Sequence, residues 1–127
     1  MKNILAYFLG ALLLLSAVAH IVVPEFYSGM IPDFLPEKLT NILVAVLEAG
    51  IGVLLCWPRY RHLGGVGFCI LMIVFLPVHV WDLFREDPVI GPLPVAIARL
   101  VFQFLFIYLG WRIFKKSGKD SQKSTPQ

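Results

Sequence analysis

Residues 95–114 read V-A-I-A-R-L-V-F-Q-F-L-F-I-Y-L-G-W-R-I-F. Only Arg99 and Gln103 interrupt an apolar run that lasts until Gly110 and Arg112. At ~1.5 Å of rise per residue, a helix of this length covers ~30 Å, the depth of a bilayer's hydrocarbon core. In hydrocarbon the backbone must satisfy its own hydrogen bonds, so such a run is a helix.

Working back toward the N-terminus, three further apolar runs cover roughly 3–23, 39–57 and 63–81. The chain has 127 residues, of which 58% are hydrophobic and 15% charged. A soluble domain of this size has too little interior to hide that much apolar surface. The expected fold is therefore all-α: an integral membrane four-helix bundle with short loops, formed by residues 1–114. Residues 115–127 are expected to be a disordered basic tail. In the first run, Ala17-Val18-Ala19 resembles a signal-peptidase site. The run continues to Val23, longer than most secretory cores, and is expected to stay as a span.

The net charge is +3, and its distribution matters more than its sum. Lys2 precedes the first run, and Arg59 and Arg61 separate the second from the third. Arg112, Lys115, Lys116, Lys119 and Lys123 close the chain. The other two connections hold Lys38 and Arg85 against Glu25, Asp33, Glu37, Asp82, Glu86 and Asp87. By the positive-inside rule both termini are cytoplasmic and the two acidic loops face outward. The basic tail fits lipid headgroups rather than nucleic acid. Trp57, Trp81 and Trp111 fall at run ends, where interfacial anchors belong.

Within the runs, Pro77 removes a donor from the third helix and is expected to kink it. E-A-G-I-G (48–52) and G-G-V-G (64–67) supply small residues for close helix approach. No strand or lysine accompanies these glycines, so they do not form a phosphate-binding loop. Cys56 and Cys69 have no paired spacing and read as packing residues. The two halves rhyme: His20 and His79 each precede a loop that closes with Leu-Pro, a pattern that duplication and coincidence explain equally well.

Ionisable groups inside spans are costly and mark functional candidates. Measured from the nearest loop by the helix rise, His79 lies ~4.5 Å deep, His20 ~6 Å, Arg99 ~7.5 Å, Gln103 ~13.5 Å and Glu48 ~15 Å. All lie in the outer half, which implies a polar chamber opening outward. Ser16 shares a helical face with His20, and Gln103 shares one with Arg99. Asn41, Ala45, Glu48 and Gly52 share a face of the second helix. Met72, Phe75 and His79 share one of the third. Arg99 cannot deprotonate and needs a partner. Glu48 is the one deep acid, so a Glu48–Arg99 ion pair is expected, bridged by Gln103. The candidate ligand-binding residues are thus Ser16, His20, Glu48, His79, Arg99 and Gln103. The histidines and Glu48 come from three helices without metal-ligand spacing, so neither a metal nor haem is favoured. A quinone or a lipid is compatible with the chamber, and the residues name no cofactor.

The chain also resembles the DoxX-like family of small four-helix bacterial membrane proteins. The resemblance rests on A-V-A-H-I-V-V-P-E-F-Y (17–27), I-P-D-F-L-P (31–36), L-E-A-G-I-G-V-L-L-C-W-P-R-Y-R (47–61), I-V-F-L-P-V-H-V (73–80) and A-R-L-V-F-Q-F-L-F-I-Y-L-G-W (98–111). It covers nearly everything but the tail. It implies an inner-membrane location and no single activity. Members have been linked to quinone-coupled sulfur oxidation, to thiol and oxidative-stress assemblies, and to assembly factors. Relatives often carry asparagine at the place of His79, so the resemblance gives that histidine no catalytic role. More distantly, the chain is similar to four-helix isomerase-like membrane proteins.

Two functions follow. The first is an accessory or ligand-binding component of a redox or envelope process, with the bilayer and a membrane or envelope protein as partners and no nucleic acid. The second is a membrane enzyme, a quinone-linked oxidoreductase or an isomerase, acting on a small lipophilic substrate. There Glu48 or His20 would move protons and Arg99 would stabilise negative charge. A proton-coupled transporter is disfavoured, because the inner half offers no polar path.

Overall fold

The computed structural model describes residues 3–123. Five α-helices follow one another: α1 (Ile4–Val22), the short α2 (Glu25–Ser28), α3 (Glu37–Cys56), α4 (Arg61–Leu83) and α5 (Leu93–Lys123). No strand occurs among the described residues. The four long helices are each long and apolar enough to cross a membrane. At most a third of any span is buried inside the molecule. The rest is apolar side chain facing outward, such as Phe8, Leu15, Val18, Leu43, Val46, Val74, Val101 and Phe104. A continuous apolar exterior of this kind suits hydrocarbon and not water. The fold therefore suggests a multi-pass membrane protein.

Prolines set several of the helix ends. Pro24 opens α2, and Pro36 precedes α3 in an extended conformation. Glu37 in the first turn of α3 favours the positive end of the helix dipole. It also accepts a hydrogen bond from the Ser28 hydroxyl, which ties α2 to the start of α3. Trp57 is extended ahead of Pro58, as a residue before proline tends to be. A single 3-10 turn, Pro58–Tyr60, then leads into α4. Arg61 folds back across this turn. Its Nε donates to Leu55 O at 2.9 Å, satisfying a carbonyl left over at the end of α3. Its guanidinium lies 4.8 Å from the centre of the Tyr7 ring.

The helices pack as two pairs, α1 with α3 and α4 with α5, joined by the contact of α3 with α4. Glycines set the distances. A Cβ on Gly65 would sit 2.6 Å from Phe114 N, and one on Gly64 would sit 2.6 Å from Leu55 N. A Cβ on Gly10 would fall 2.9 Å from Gly52 O. All these approaches lie toward the end that carries the tight Pro58–Tyr60 turn, the tail end. Among the described residues, no glycine brings two helices this close at the opposite, loop end, which carries residues 23–36 and 84–92. The apolar core follows the same gradient: Ala6, Leu9, Leu13, Leu55, Phe68 and Ile113 pack in the tail half, and Met72 closes the core from above.

Two expectations change. Residues 115–123 of the expected disordered tail are helical, because α5 runs on to Lys123. An existing helix elongates without paying again for nucleation, and the lysines of K-K-S-G-K are good helix formers. Asp82 belongs to the last turn of α4 rather than to a loop.

Candidate functional site

Where the loop end is not drawn together, a cavity of about 780 Å³ opens between the helix pairs. All six candidate residues line it: Ser16 and His20 from α1, Glu48 from α3, His79 from α4, and Arg99 and Gln103 from α5. The remaining wall is apolar and largely aromatic or aliphatic, including Leu13, Phe68, Met72, Phe75 and Phe106. Residues 27–35 form part of the rim, led by Tyr27, Met30 and Phe34. The two connections are themselves fastened together. Arg85 Nη1 donates to Gly29 O at 2.7 Å while its guanidinium stacks 4.7 Å from the Trp81 ring centre.

The polar groups fall into two clusters, and the Glu48–Arg99 ion pair expected from sequence is not formed. Arg99 pairs instead with Asp82, Nη1 to Oδ2 at 2.9 Å. The other carboxylate oxygen of Asp82 accepts Val89 N–H at 2.9 Å. Asp82 is 1% exposed and so fully enclosed by these partners. Arg99 Nη2 also reaches Met30 Sδ at 3.2 Å and His79 Nδ1 at 3.3 Å. The physical reason is topological. α4 and α5 are adjacent helices joined by residues 84–92, so the last turn of α4 lies beside the first turns of α5.

The second cluster gathers on α1 and α3. His20 Nδ1 lies 2.7 Å from Asn41 Oδ1, and His20 Nε2 lies 3.8 Å from Glu48 Oε2. The His20 ring stacks on Tyr27, with centroids 3.6 Å apart and planes inclined by 16°. The Tyr27 hydroxyl in turn lies 3.4 Å from Ser16 Oγ. Asn41, Ala45, Glu48 and Gly52 are all buried, so the face grouped from the sequence is the one that α3 turns inward. Glu48 is 3% exposed, and its Oε2 has no hydrogen-bond partner among the described residues.

Gln103 does not bridge Arg99 to Glu48 either. Its Nε2 donates to Met72 O at 2.7 Å. α4 continues through Pro77, which leaves Ile73 O without its usual donor. The carbonyl beside it, Met72 O, takes the side-chain amide of Gln103, so the helix–helix bond forms next to the gap in the ladder.

Four residues of the site were not among the candidates: Asn41, Tyr27, Met30 and Asp82. Asp82 had a signal, since it stands three residues after His79 and so shares its helical face. Asn41 had one as well, being grouped with Glu48. Tyr27 and Met30 reach the site only because the 23–36 connection folds back over it, and helical spacing carries no trace of that. No group of three or more His, Cys, Asp or Glu placed to hold a metal occurs among the described residues.

The fold and site define a class: a small helical protein with four helices long and apolar enough to cross a membrane, and a mostly apolar cavity ringed by two polar clusters at one end. The chain belongs to the family of the domain of unknown function DUF8561, whose model matches residues 9–114. That match takes in α3 and α4 whole, most of α1 and α5, and every residue that lines the cavity. No curated protein and no solved structure matches the chain.

Proposed function

We propose that the protein is an inner-membrane, multi-pass protein that binds a small lipophilic molecule in this cavity. Both termini are cytoplasmic, and the cavity opens toward the outer face. The reading is carried by one observation: six polar side chains from all four long helices converge on a single cavity of about 780 Å³ whose wall, Tyr27 and Thr40 apart, is otherwise apolar. That volume lies within the ~300–1,000 Å³ of ordinary ligand sites, and a few placed polar groups in an apolar pocket are their usual make-up. A purely structural network needs its members paired, and Glu48 Oε2 and Asn41 Nδ2, both buried, have no hydrogen-bond partner among the described residues.

The resemblance to DoxX-like proteins supports an accessory or ligand-binding part in a redox or envelope process, with a quinone or another lipid as ligand. The His20–Glu48 juxtaposition favours a second reading, an enzyme that moves a proton on its lipophilic substrate. Purification in mild detergent, followed by organic extraction and mass spectrometry, tests the proposal. A co-purifying lipophilic molecule near one per chain is expected, and its occupancy should fall in Glu48→Leu. A protein that carries no such molecule and takes up no added lipophile would refute it.

A further inference from the structure

Within the cavity just described, most polar groups are already engaged. Arg99 is neutralised by Asp82 at 2.9 Å. Gln103 gives its amide to Met72 O, and Ser16 lies against the Tyr27 hydroxyl. Glu48 is different: it is 3% exposed, yet its Oε2 has no hydrogen-bond partner among the described residues, as is also true of Asn41 Nδ2 beside it. Buried carboxylate oxygens are rarely left so, because desolvation without a hydrogen bond is costly.

The atom facing it is His20 Nε2, at 3.8 Å. That is too long for a hydrogen bond. It is also short enough for one oxygen atom to stand ~2.8 Å from both once the carboxyl turns toward the cavity, since Oε2 is enclosed in this structure. The imidazole is held in this orientation from two sides. Its other nitrogen meets the acceptor Asn41 Oδ1 at 2.7 Å, and its face lies against Tyr27 at 3.6 Å. An acceptor opposite Nδ1 places a proton on Nδ1. A neutral imidazole then presents a lone pair at Nε2 toward a carboxylate oxygen, and two facing acceptors repel. One proton held by the pair removes the repulsion and leaves one donor and one acceptor side by side.

A hydroxyl group is the head that matches such a pair, since it donates and accepts through one atom. A carbonyl or ether oxygen accepts only, and would leave the acceptor of the pair unsatisfied. A carboxylate would add like charge beside Glu48. Resting on the ligand-binding reading above, we propose that His20 and Glu48 form a hydroxyl-binding pair. The ligand class is a lipophilic alcohol or phenol whose oxygen bridges Nε2 and Oε2. Its apolar body lies along Phe68, Met72, Phe75 and Phe106.

The test uses the full chain in mild detergent and matched probes. These are 4-octylphenol against its methyl ether 4-octylanisole, and 1-decanol against decyl methyl ether, with binding followed by native mass spectrometry and competition. The wild-type protein should hold at least one hydroxyl probe about tenfold more tightly than its ether, the usual discrimination of a polar pair made to satisfy a hydroxyl. Preference in the aromatic pair alone assigns a phenol, and preference in both assigns alcohols generally. Glu48→Leu and His20→Phe, the latter keeping the stack on Tyr27, should bring each pair within about twofold while the ether still binds. Equal binding of alcohol and ether by the wild type overturns the hydroxyl pair and leaves the lipophilic cavity standing. Binding of neither overturns both. A tenfold preference that survives in either folded variant also overturns the pair. The wild-type comparison decides the matter even where a variant does not fold.

Discussion

At the scale of single residues, the partner of Arg99 is the decisive point. Glu48 and Asp82 stand at the same estimated distance from it along the membrane normal, ~7.5 Å on either side by the helix rise. Depth alone therefore could not choose between them. Chain connectivity does, because α5 follows α4 directly and packs against it. The six candidates were legible because an ionisable or amide side chain stands out in an apolar run. Their pairing was not legible, because pairing depends on which helices are neighbours and how they are rotated. A double-mutant cycle separates the two pairings. Asp82→Asn should destabilise by about 2–3 kcal/mol, since it strips a charged partner from Arg99 and weakens a fully buried acceptor. Combined with Arg99→Met, the two changes should be less costly than their sum by about 1–2 kcal/mol. Glu48→Gln with Arg99→Met should be additive within ~0.5 kcal/mol. Unfolding in detergent, followed by circular dichroism, reads both cycles. Coupling in the Glu48 cycle and none in the Asp82 cycle would reverse the assignment.

At the scale of elements, the spans were readable from run length, and the ends were readable wherever proline stands beside them, as at Pro24, Pro36 and Pro58. α5 extends beyond the apolar run, whose signal stops at Phe114. Helical propagation does not stop there. The glycines show what patterning can and cannot say. Their grouping announced close packing but not which partner each would meet. Gly65 meets Phe114, with a hypothetical Cβ only 2.6 Å from its backbone nitrogen, whereas Gly50 has nothing within 4 Å. The obstacle at Gly65 is backbone and cannot rotate aside. Gly65→Ala should therefore push α4 and α5 apart and destabilise by roughly 1–3 kcal/mol. Gly50→Ala should change stability by less than about 0.5 kcal/mol. Thermal unfolding of the two variants in one detergent makes the comparison. Equal effects would mean that the α4–α5 approach is not the tight contact described.

For the molecule as a whole, one asymmetry organises both packing and proposed function. Glycine contacts and the apolar core close the tail end, while the polar clusters and the folded-back 23–36 connection surround a cavity at the loop end. Which compartment that cavity serves depends on orientation, and the charge distribution argues for one answer. Arg59, Arg61, Arg112, Lys115, Lys116 and Lys119 all lie at the tail end, whereas Asp33, Glu86 and Asp87 lie at the loop end. Positive charge is retained on the cytoplasmic side during insertion, so the tail end is expected inside and the cavity outside. The check is labelling of intact cells with a membrane-impermeant thiol reagent, after Cys56 and Cys69 are each replaced by alanine. Glu86→Cys, at an exposed position of the 84–92 connection, should react before lysis. Lys119→Cys, at an exposed position of the α5 extension, should react only after it. The opposite pattern would turn the molecule over. The cavity would then open to the cytoplasm, and its ligand would have to be supplied from the inner leaflet or the cell interior. With the expected pattern, the proposed lipophile would arrive from the outer leaflet or the outer side, and the rim built from Tyr27, Met30 and Phe34 would be the surface it meets first.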